Sequence, residues 1–112
     1  MNNNTELHHS DQAMDERLRA NDLFDVYGSL LTKRQQEILT LYVLDDLSLS
    51  EIQEMLSISR SAISDAVRKG IHAMEEMEKS VGYLEKRRQV LDEVKGNKEL
   101  EDRIRSIYFA EK

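Results

Sequence analysis

The sequence predicts an all-α fold, and three observations support this prediction. The 112 residues include no proline and only four glycines, so the chain has few residues that interrupt helices. Charged residues make up 34% and aromatic residues only 5%, a composition that favours helices over sheets. Apolar residues recur at spacings of three and four along most of the chain, which is the period of an amphipathic helix.

The helical period starts after the first residues of the chain. Residues 1–13 have no hydrophobic period and are predicted to form a disordered tail. The first predicted helix carries one apolar stripe, formed by Leu18, Leu23, Phe24, Tyr27, Leu30 and Leu31. Thr32 and Gln35 have the spacing of a capping box, which predicts a second helix from about residue 33 to residue 44.

Two further helices are predicted in the middle of the chain. Asp45 and Asp46 break the second helix, and Ser48 with Glu51 forms another capping box at the start of a short third helix. After a join of three residues, Ser59 can cap a long fourth helix, whose apolar positions run to Leu84 and whose helical pattern continues to Val94. Gly70 lies inside this helix, which indicates either a second backbone passing close by or a bend.

The C-terminal third continues as an amphipathic helical extension. The apolar pattern runs to Val94, Gly96 and Asn97 predict a helix stop, and a last helix surrounds Ile104 and Tyr108. Its apolar stripes would be buried either by folding back or by pairing across a two-fold axis. The predicted division is therefore a tail over 1–13, a helix-turn-helix domain over 14–84 and an extension over 85–112.

Composition and charge exclude several functional classes. The chain has no cysteine and therefore no disulfide or thiolate metal site, which fits the cytoplasm. It has no run of 18 apolar residues, so membrane insertion is not expected. The net charge of −6 should repel polyanions unless the basic groups gather on one face. Neither a catalytic constellation nor the spacing of metal ligands occurs, so we expect no enzyme, metal or cofactor.

The third and fourth helices have the lengths and the short join of a helix-turn-helix, in which the second helix enters the major groove of DNA. Placing Ile63 and Val67 in the core leaves a polar face outward. The predicted DNA-binding residues are Ser59, Arg60, Ser61, Ser64, Asp65, Arg68 and Lys69, with Lys33 and Arg34 at the start of the second helix. Residues 59–72 carry a local charge of +2. An equally simple interpretation of Asp65 and Lys69 is an ion pair on a solvated face.

Several segments resemble known families. The sequence LTKRQQ at residues 31–36 resembles the opening of sigma-factor region 4, and LSEI at 49–52 with ISRSAI at 58–63 resembles its helix-turn-helix. A closer resemblance is to the YlxM family of small bacterial proteins. It rests on Phe24, Tyr27, Leu30, Leu31 and Thr32, followed by Tyr42, Asp45, Asp46 and Ser48. This sequence departs from that pattern at residues 55–57, where an acidic, an aromatic and a Gly or Asn residue are usual, and at Ser64, where an aromatic is common.

The resemblance implies a helix-turn-helix of the sigma region 4 type, in the winged-helix-like DNA-binding superfamily but without a wing. It also implies a regulatory role linked to the signal recognition particle (SRP), since genes of the family lie beside those of the particle and its receptor. Two functions are possible on this basis. The first is a DNA-binding regulator, expected to be a homodimer because such proteins often read two half-sites. The second is an adaptor that binds SRP-pathway proteins or ribonucleoprotein without binding DNA. The adaptor interpretation draws on the net charge, on Asp65 and on the stripe of Met74 and Met77.

Overall fold

The computed structural model describes the backbone of residues 2–110 and the side chains of residues 14–110. Every regular element in these residues is helical, which confirms the predicted fold class. The α-helices are α1 Asn2–Tyr27, α2 Lys33–Leu39, α3 Leu49–Leu56, α4 Arg60–Val81, α5 Tyr83–Glu93 and α6 Lys98–Tyr108, with a 3₁₀ turn at Gly28–Leu30 and a π-helical segment at Thr40–Leu44. Among the described residues, no helix has both the length and the apolar character needed to cross a bilayer.

The chain forms two compact units, residues 1–77 and residues 78–112. The sequence predicts domain boundaries at residues 13/14 and 84/85, which differ from the boundary between these two units, and this predicted division stays a prediction. The predicted tail over 1–13 lies outside the residues whose side chains are described.

The core of the first unit is made by one buried stripe from each of four helices. The fully buried side chains are Leu23 of α1, Ile38 and Leu39 of α2, Ile52 of α3, and Ile63 and Met74 of α4. Burying a side chain of this size stabilises a fold by roughly 1.5–3 kcal/mol. Because Met74 is inside this core, it is not available as part of an exposed methionine surface.

Both predicted capping boxes are present. The Gln35 backbone N–H donates to Thr32 Oγ1 at 3.2 Å, and the Thr32 N–H donates to Gln35 Oε1 at 3.1 Å. Ser48 and Glu51 make the same reciprocal pair at 3.1 and 2.9 Å. The backbone N–H of Ser48, followed by its hydroxyl, lowers the pKa of Glu51, so this carboxylate is charged while it caps α3.

The second helix does not stay α-helical to its predicted end at Leu44. Its last five residues form a π-helical segment in which the Asp45 N–H donates to the Thr40 carbonyl at 3.0 Å. Arg17 of α1 holds this segment, since its Nη1 donates to the Tyr42 carbonyl at 3.0 Å and to Asp46 Oδ1 at 2.7 Å. The Arg17 guanidinium also lies 4.3 Å from the centre of the Tyr42 ring. These three contacts of Arg17 lie at the end of the second helix, where the geometry changes from α-helical to π-helical, and helical periodicity does not predict them.

Gly70 is buried because a side chain approaches it closely. A Cβ atom at this position would lie 2.7 Å from Leu39 Cδ1. The neighbour is therefore a leucine side chain of α2, not a second backbone as one of the predicted alternatives required.

The fourth helix ends at Val81, earlier than predicted. Gly82 has φ +69°, a left-handed conformation that leaves the α-helix, and its N–H closes the last turn on the Glu78 carbonyl at 2.7 Å. The buried Glu78 side chain then accepts hydrogen bonds from the backbone N–H groups of Leu84 (3.0 Å) and Glu85 (3.1 Å). A carboxylate from the preceding helix thus caps α5, which explains how the chain restarts a helix immediately after the break.

Within residues 78–112, α5 and α6 pack against each other, as the folding-back alternative expects. The predicted stop is confirmed, because Gly96 has φ +95° and Asn97 caps α6 through the Leu100 N–H at 3.2 Å. The stripe of α6 is only partly covered, since Ile107 remains 74% exposed. Folding back therefore does not bury the whole apolar face, and the expected homodimer stays a prediction.

Candidate nucleic-acid interface

Helices α3 and α4 and the three residues between them form the helix-turn-helix. Ile52 of α3 and Ile63 of α4 are fully buried, and this burial fixes the inner faces of the two helices. Val67, one turn further along α4, is also buried. The prediction that Ile63 and Val67 face the core is confirmed, so the opposite face of α4 points away from the core.

The turn between the two helices keeps a left-handed residue although it lacks Gly or Asn. Ser57 ends α3 with φ +55° and ψ +40°, and its N–H donates to the Gln53 carbonyl at 2.9 Å. For an L-residue other than Gly this conformation costs roughly 1–2 kcal/mol. At residues 55–57, where this sequence departs from the family pattern, the turn therefore contains a strained left-handed serine.

Replacing Ser57 with Gly is expected to raise the free energy of unfolding by about 1 kcal/mol, because Gly adopts this conformation without the Cβ clash. Chemical denaturation monitored by circular dichroism measures the change. Ser57→Ala is the matched control, since it removes the hydroxyl but keeps the Cβ, and it should bring no gain. A Gly variant that is no more stable than the Ala variant would contradict the strain argument.

The predicted residues of α4 form an exposed polar face. Arg60, Ser61, Ser64, Arg68 and Lys69 are exposed, whereas Asp65 is half-buried. All six belong to the first three turns of one helix, so the structure brings them together.

The start of α4 is organised by serine hydroxyls. Ser59 Oγ accepts from the Ala62 N–H at 3.2 Å, which makes Ser59 the predicted N-cap, and it lies 3.3 Å from Ser61 Oγ. Arg60 Nη1 donates to Ser50 Oγ of α3 at 3.2 Å. The sequence did not predict this contact, because residues ten apart meet only once the turn is formed.

Asp65 lies between two of the predicted DNA-binding cations. Its Oδ1 accepts from Arg68, and its Oδ2 lies 3.0 Å from Lys69 Nζ. The hydrogen bond from Lys69, above all, lowers the pKa of Asp65, so the carboxylate is ionised at neutral pH. The predicted Asp65–Lys69 pair is present, and the additional pair with Arg68 means that one acid offsets part of the field of two cations.

Lys33 and Arg34 occupy the first turn of α2 and are exposed. Arg34 Nη1 pairs with Glu37 Oε1 at 3.0 Å on the same helix. No hydrogen bond or ion pair among the described side chains links either residue to α4.

The two units of the chain differ strongly in net charge. Residues 1–77 contain seven Lys and Arg against fourteen Asp and Glu, a net charge of −7, whereas residues 78–112 carry +1. Among the described side chains, no group of three or more His, Cys, Asp or Glu residues could hold a metal ion. The basic residues of α4 are thus a small positive area within an acidic unit.

The chain is all-α, its third and fourth helices are joined by a short turn, and a serine caps the start of each of them. These features define a helix-turn-helix protein. The comparisons with known proteins agree with this class and narrow it. A family model described as "Putative helix-turn-helix protein, YlxM / p13 like" matches residues 14–108, and the chain belongs to this family, UPF0122.

Curated relatives of the same family cover most of the chain. A UPF0122 protein of Halalkalibacterium halodurans is 42% identical over 85 residues, which are 73% of this chain and 78% of the relative. A UPF0122 protein of Shouchella clausii is 44% identical over the same length and the same shares. A UPF0122 protein of Clostridium kluyveri is 37% identical over 95 residues, 85% of this chain and 83% of the relative.

Proposed function

We propose that this protein is a DNA-binding regulator that acts by binding in the cytoplasm and not by catalysis. The observation that carries the proposal is the exposed polar face at the start of α4, where Arg60, Arg68 and Lys69 stand beside three serines while Ile63 and Val67 are buried. A helix presented in this way fits the major groove, with its N-terminal residues at the base edges.

Each side chain of this face has a distinct expected role. Arg60 or Arg68 can donate two hydrogen bonds to guanine, and Ser61 and Ser64 can donate or accept at other bases. Asp65 can accept only from the amino groups of cytosine or adenine. Lys69, the capped start at Ser59, and Lys33 with Arg34 on α2 are suited to phosphate contacts, which set orientation and carry no sequence information.

A salt titration with duplex DNA tests the proposal. Fluorescence anisotropy with a random-sequence duplex pool should show binding at low ionic strength, and log K should fall with log salt by about 0.9 per phosphate contact. Replacing Arg60 and Arg68 together with Ala should weaken binding about tenfold or more, since a good arginine contact contributes roughly 1–3 kcal/mol.

The control removes the same number of charges elsewhere. Arg88→Ala with Arg103→Ala eliminates two exposed arginines from residues 78–112 and should leave duplex affinity nearly unchanged. Absence of duplex binding at the lowest salt, or equal losses in the two double variants, would refute the proposed role of α4.

A second candidate function is an adaptor that binds a protein or ribonucleoprotein of the SRP pathway. The net charge of −7 on residues 1–77 and the placement of Asp65 between two cations favour this candidate, because both features oppose a polyanion and suit a basic partner. The link to the SRP pathway rests on the family resemblance alone and applies to either function.

A pull-down with and without nuclease separates the two functions. Loss of every partner after nuclease treatment supports the DNA-binding regulator, whereas retention of SRP-pathway proteins supports the adaptor.

A homodimer belongs to the first proposal, because two copies of α4 would reach two half-sites about one helical turn, roughly 34 Å, apart. Analytical ultracentrifugation of the full chain checks this oligomeric state.

A further inference from the structure

Arg87 of α5 is a buried cation that no carboxylate neutralises among the described residues. Its side chain is only 8% exposed, and no hydrogen bond or ion pair joins it to another described residue. The nearest carboxylates along the chain are engaged elsewhere: Glu85 pairs with Arg88 at 2.7 Å, and Glu78 accepts from the backbone of Leu84 and Glu85. Buried charges in proteins are normally paired or in contact with a ligand.

Two aromatic rings flank the Arg87 guanidinium. Its central carbon lies 4.7 Å from the centre of the Phe109 ring and 5.8 Å from that of Tyr83, whose own ring meets Tyr108 edge-on at 6.1 Å. Both distances lie within the range of a cation–π contact, which does not by itself satisfy the N–H groups of a guanidinium as hydrogen bonds to oxygen would.

The free N–H groups of Arg87 can be reached from outside. Every deeply buried side-chain nitrogen or oxygen of the described residues has a hydrogen-bond partner, so the unpaired nitrogens of Arg87 must retain contact with solvent. The flanking rings are also accessible, Tyr83 being 38% and Phe109 46% exposed. The result is a cation whose unpaired nitrogens keep contact with solvent and which lies beside two accessible aromatic rings.

The charge of the surrounding unit suits an anionic ligand. Residues 78–112 carry nine Lys and Arg against eight Asp and Glu, in contrast to the acidic residues 1–77. One of the eight acids, Glu111, lies outside the described residues, and none of the other seven forms an ion pair with Arg87. An external oxyanion can therefore bind without displacing any of these seven carboxylates.

We propose that the unpaired N–H groups of Arg87 bind a phosphate group. The planar fork of an arginine donates two parallel hydrogen bonds to two phosphate oxygens, a geometry that a lysine cannot provide. The phosphate can be inorganic phosphate or part of a nucleotide, and the exposed faces of Tyr83 and Phe109 offer a stacking surface to a nucleobase. This site lies on α5 and does not depend on the proposed role of α4 in DNA binding.

Side-chain NMR of the full chain tests the proposal directly. The Arg87 Nε–Hε signal should shift saturably with inorganic phosphate and with adenosine 5′-monophosphate, and not with adenosine or acetate. Equal affinity for the two phosphate compounds identifies phosphate alone as the ligand, while tighter binding of the nucleotide identifies the nucleotide. The absence of a saturable shift, or an equal response to acetate, would overturn the proposal.

Substitutions of Arg87 distinguish a role of this residue in phosphate binding from a role in packing. Arg87→Met keeps an extended apolar side chain beside the rings and should weaken phosphate binding at least tenfold. Arg87→Lys keeps the positive charge without the planar guanidinium and should weaken phosphate binding several-fold. Arg103→Met removes an exposed arginine of α6 and should leave the affinity unchanged. If Arg87→Lys binds phosphate as tightly as the native chain, or if Arg103→Met loses as much, the fork of Arg87 is not the site. Arg60→Ala with Arg68→Ala should alter duplex binding only, so the two proposals can fail separately.

Discussion

The Asp65→Asn variant is expected to bind duplex DNA about tenfold more tightly than the native chain at low salt, and its log K should fall more steeply with log salt. Asp65 holds both Arg68 and Lys69 in ion pairs. Removing its charge releases two cations toward phosphate, and each additional phosphate contact steepens the salt dependence by about 0.9. Fluorescence anisotropy over a range of salt concentrations measures both effects.

Asp92→Asn is the matched control for this variant. Asp92 is an exposed carboxylate that pairs with Arg88 at 2.7 Å, so its replacement makes the same change in net charge outside the helix-turn-helix, while Arg88 keeps its second ion pair with Glu85. It should raise duplex affinity little. If the two variants gain equally, the effect is one of overall charge and the special position of Asp65 is refuted.

Acidification should not reproduce the Asp65→Asn effect at mildly acidic pH. The hydrogen bond from Lys69 lowers the pKa of Asp65 in the folded chain, so the ion pairs persist above the usual pKa of an Asp and are lost only as the pH falls through this lowered value. A rise in duplex affinity on mild acidification would therefore have to come from another group.

The same variant also distinguishes the two candidate functions by the sign of its effect. If α4 binds a basic protein, Asp65 contributes attraction, and Asp65→Asn should weaken the complex. If α4 binds DNA, Asp65 contributes repulsion, and its removal should strengthen binding. A variant that leaves both kinds of partner unaffected would place the binding surface outside the first turns of α4.

The second large effect is expected in the core, where Gly70→Ala should lower the free energy of unfolding by up to about 2 kcal/mol, which is the overpacking cost less the gain in helix propensity. In an exposed helix interior this change would stabilise by roughly 1 kcal/mol. Here the new Cβ would lie 2.7 Å from Leu39 Cδ1, and Leu39 is itself fully buried, so the leucine cannot move away freely. Overpacking of this kind typically costs about 1–3 kcal/mol.

A double-mutant cycle with Leu39→Ala isolates this contact. Leu39→Ala alone should cost about 2–5 kcal/mol, because it leaves a cavity in the core. In that background Gly70→Ala should become stabilising by roughly 1 kcal/mol, since the clash is gone and the helix propensity remains. Denaturant unfolding of the four chains provides the values. A Gly70→Ala effect of the same sign in both backgrounds would contradict a direct clash.

Local patterns in the sequence were sufficient to predict most of the helices. The capping residues Thr32, Ser48 and Ser59 satisfy backbone groups within three residues of themselves, and the burial of Ile63 and Val67 follows from helical periodicity. These interactions depend on neighbours in the chain, so they can be predicted without the fold. The outward position of the predicted α4 residues follows from the same periodicity.

Other features were missed because they depend on residues distant in the chain or on backbone geometry. Arg17 reaches the carbonyl of Tyr42 across 25 residues, and periodicity gave no sign of the π-helical segment that it holds. Gly82 was missed as a helix end because the apolar pattern continues past it, and the cap that permits the break comes from the Glu78 side chain. The signal that could have revealed it was the glycine itself.

The sequence by itself determined the helical class, the positions of the capped helix starts and the polar face of the α4 stretch, since all three follow from interactions within a few residues. Only the tertiary structure decided that Leu39 packs on Gly70, that Arg60 meets Ser50, and that Arg87 lies close to two aromatic rings without a carboxylate partner among the described residues. Such contacts arise when separate helices pack, and packing selects one arrangement among many that share the same hydrophobic period.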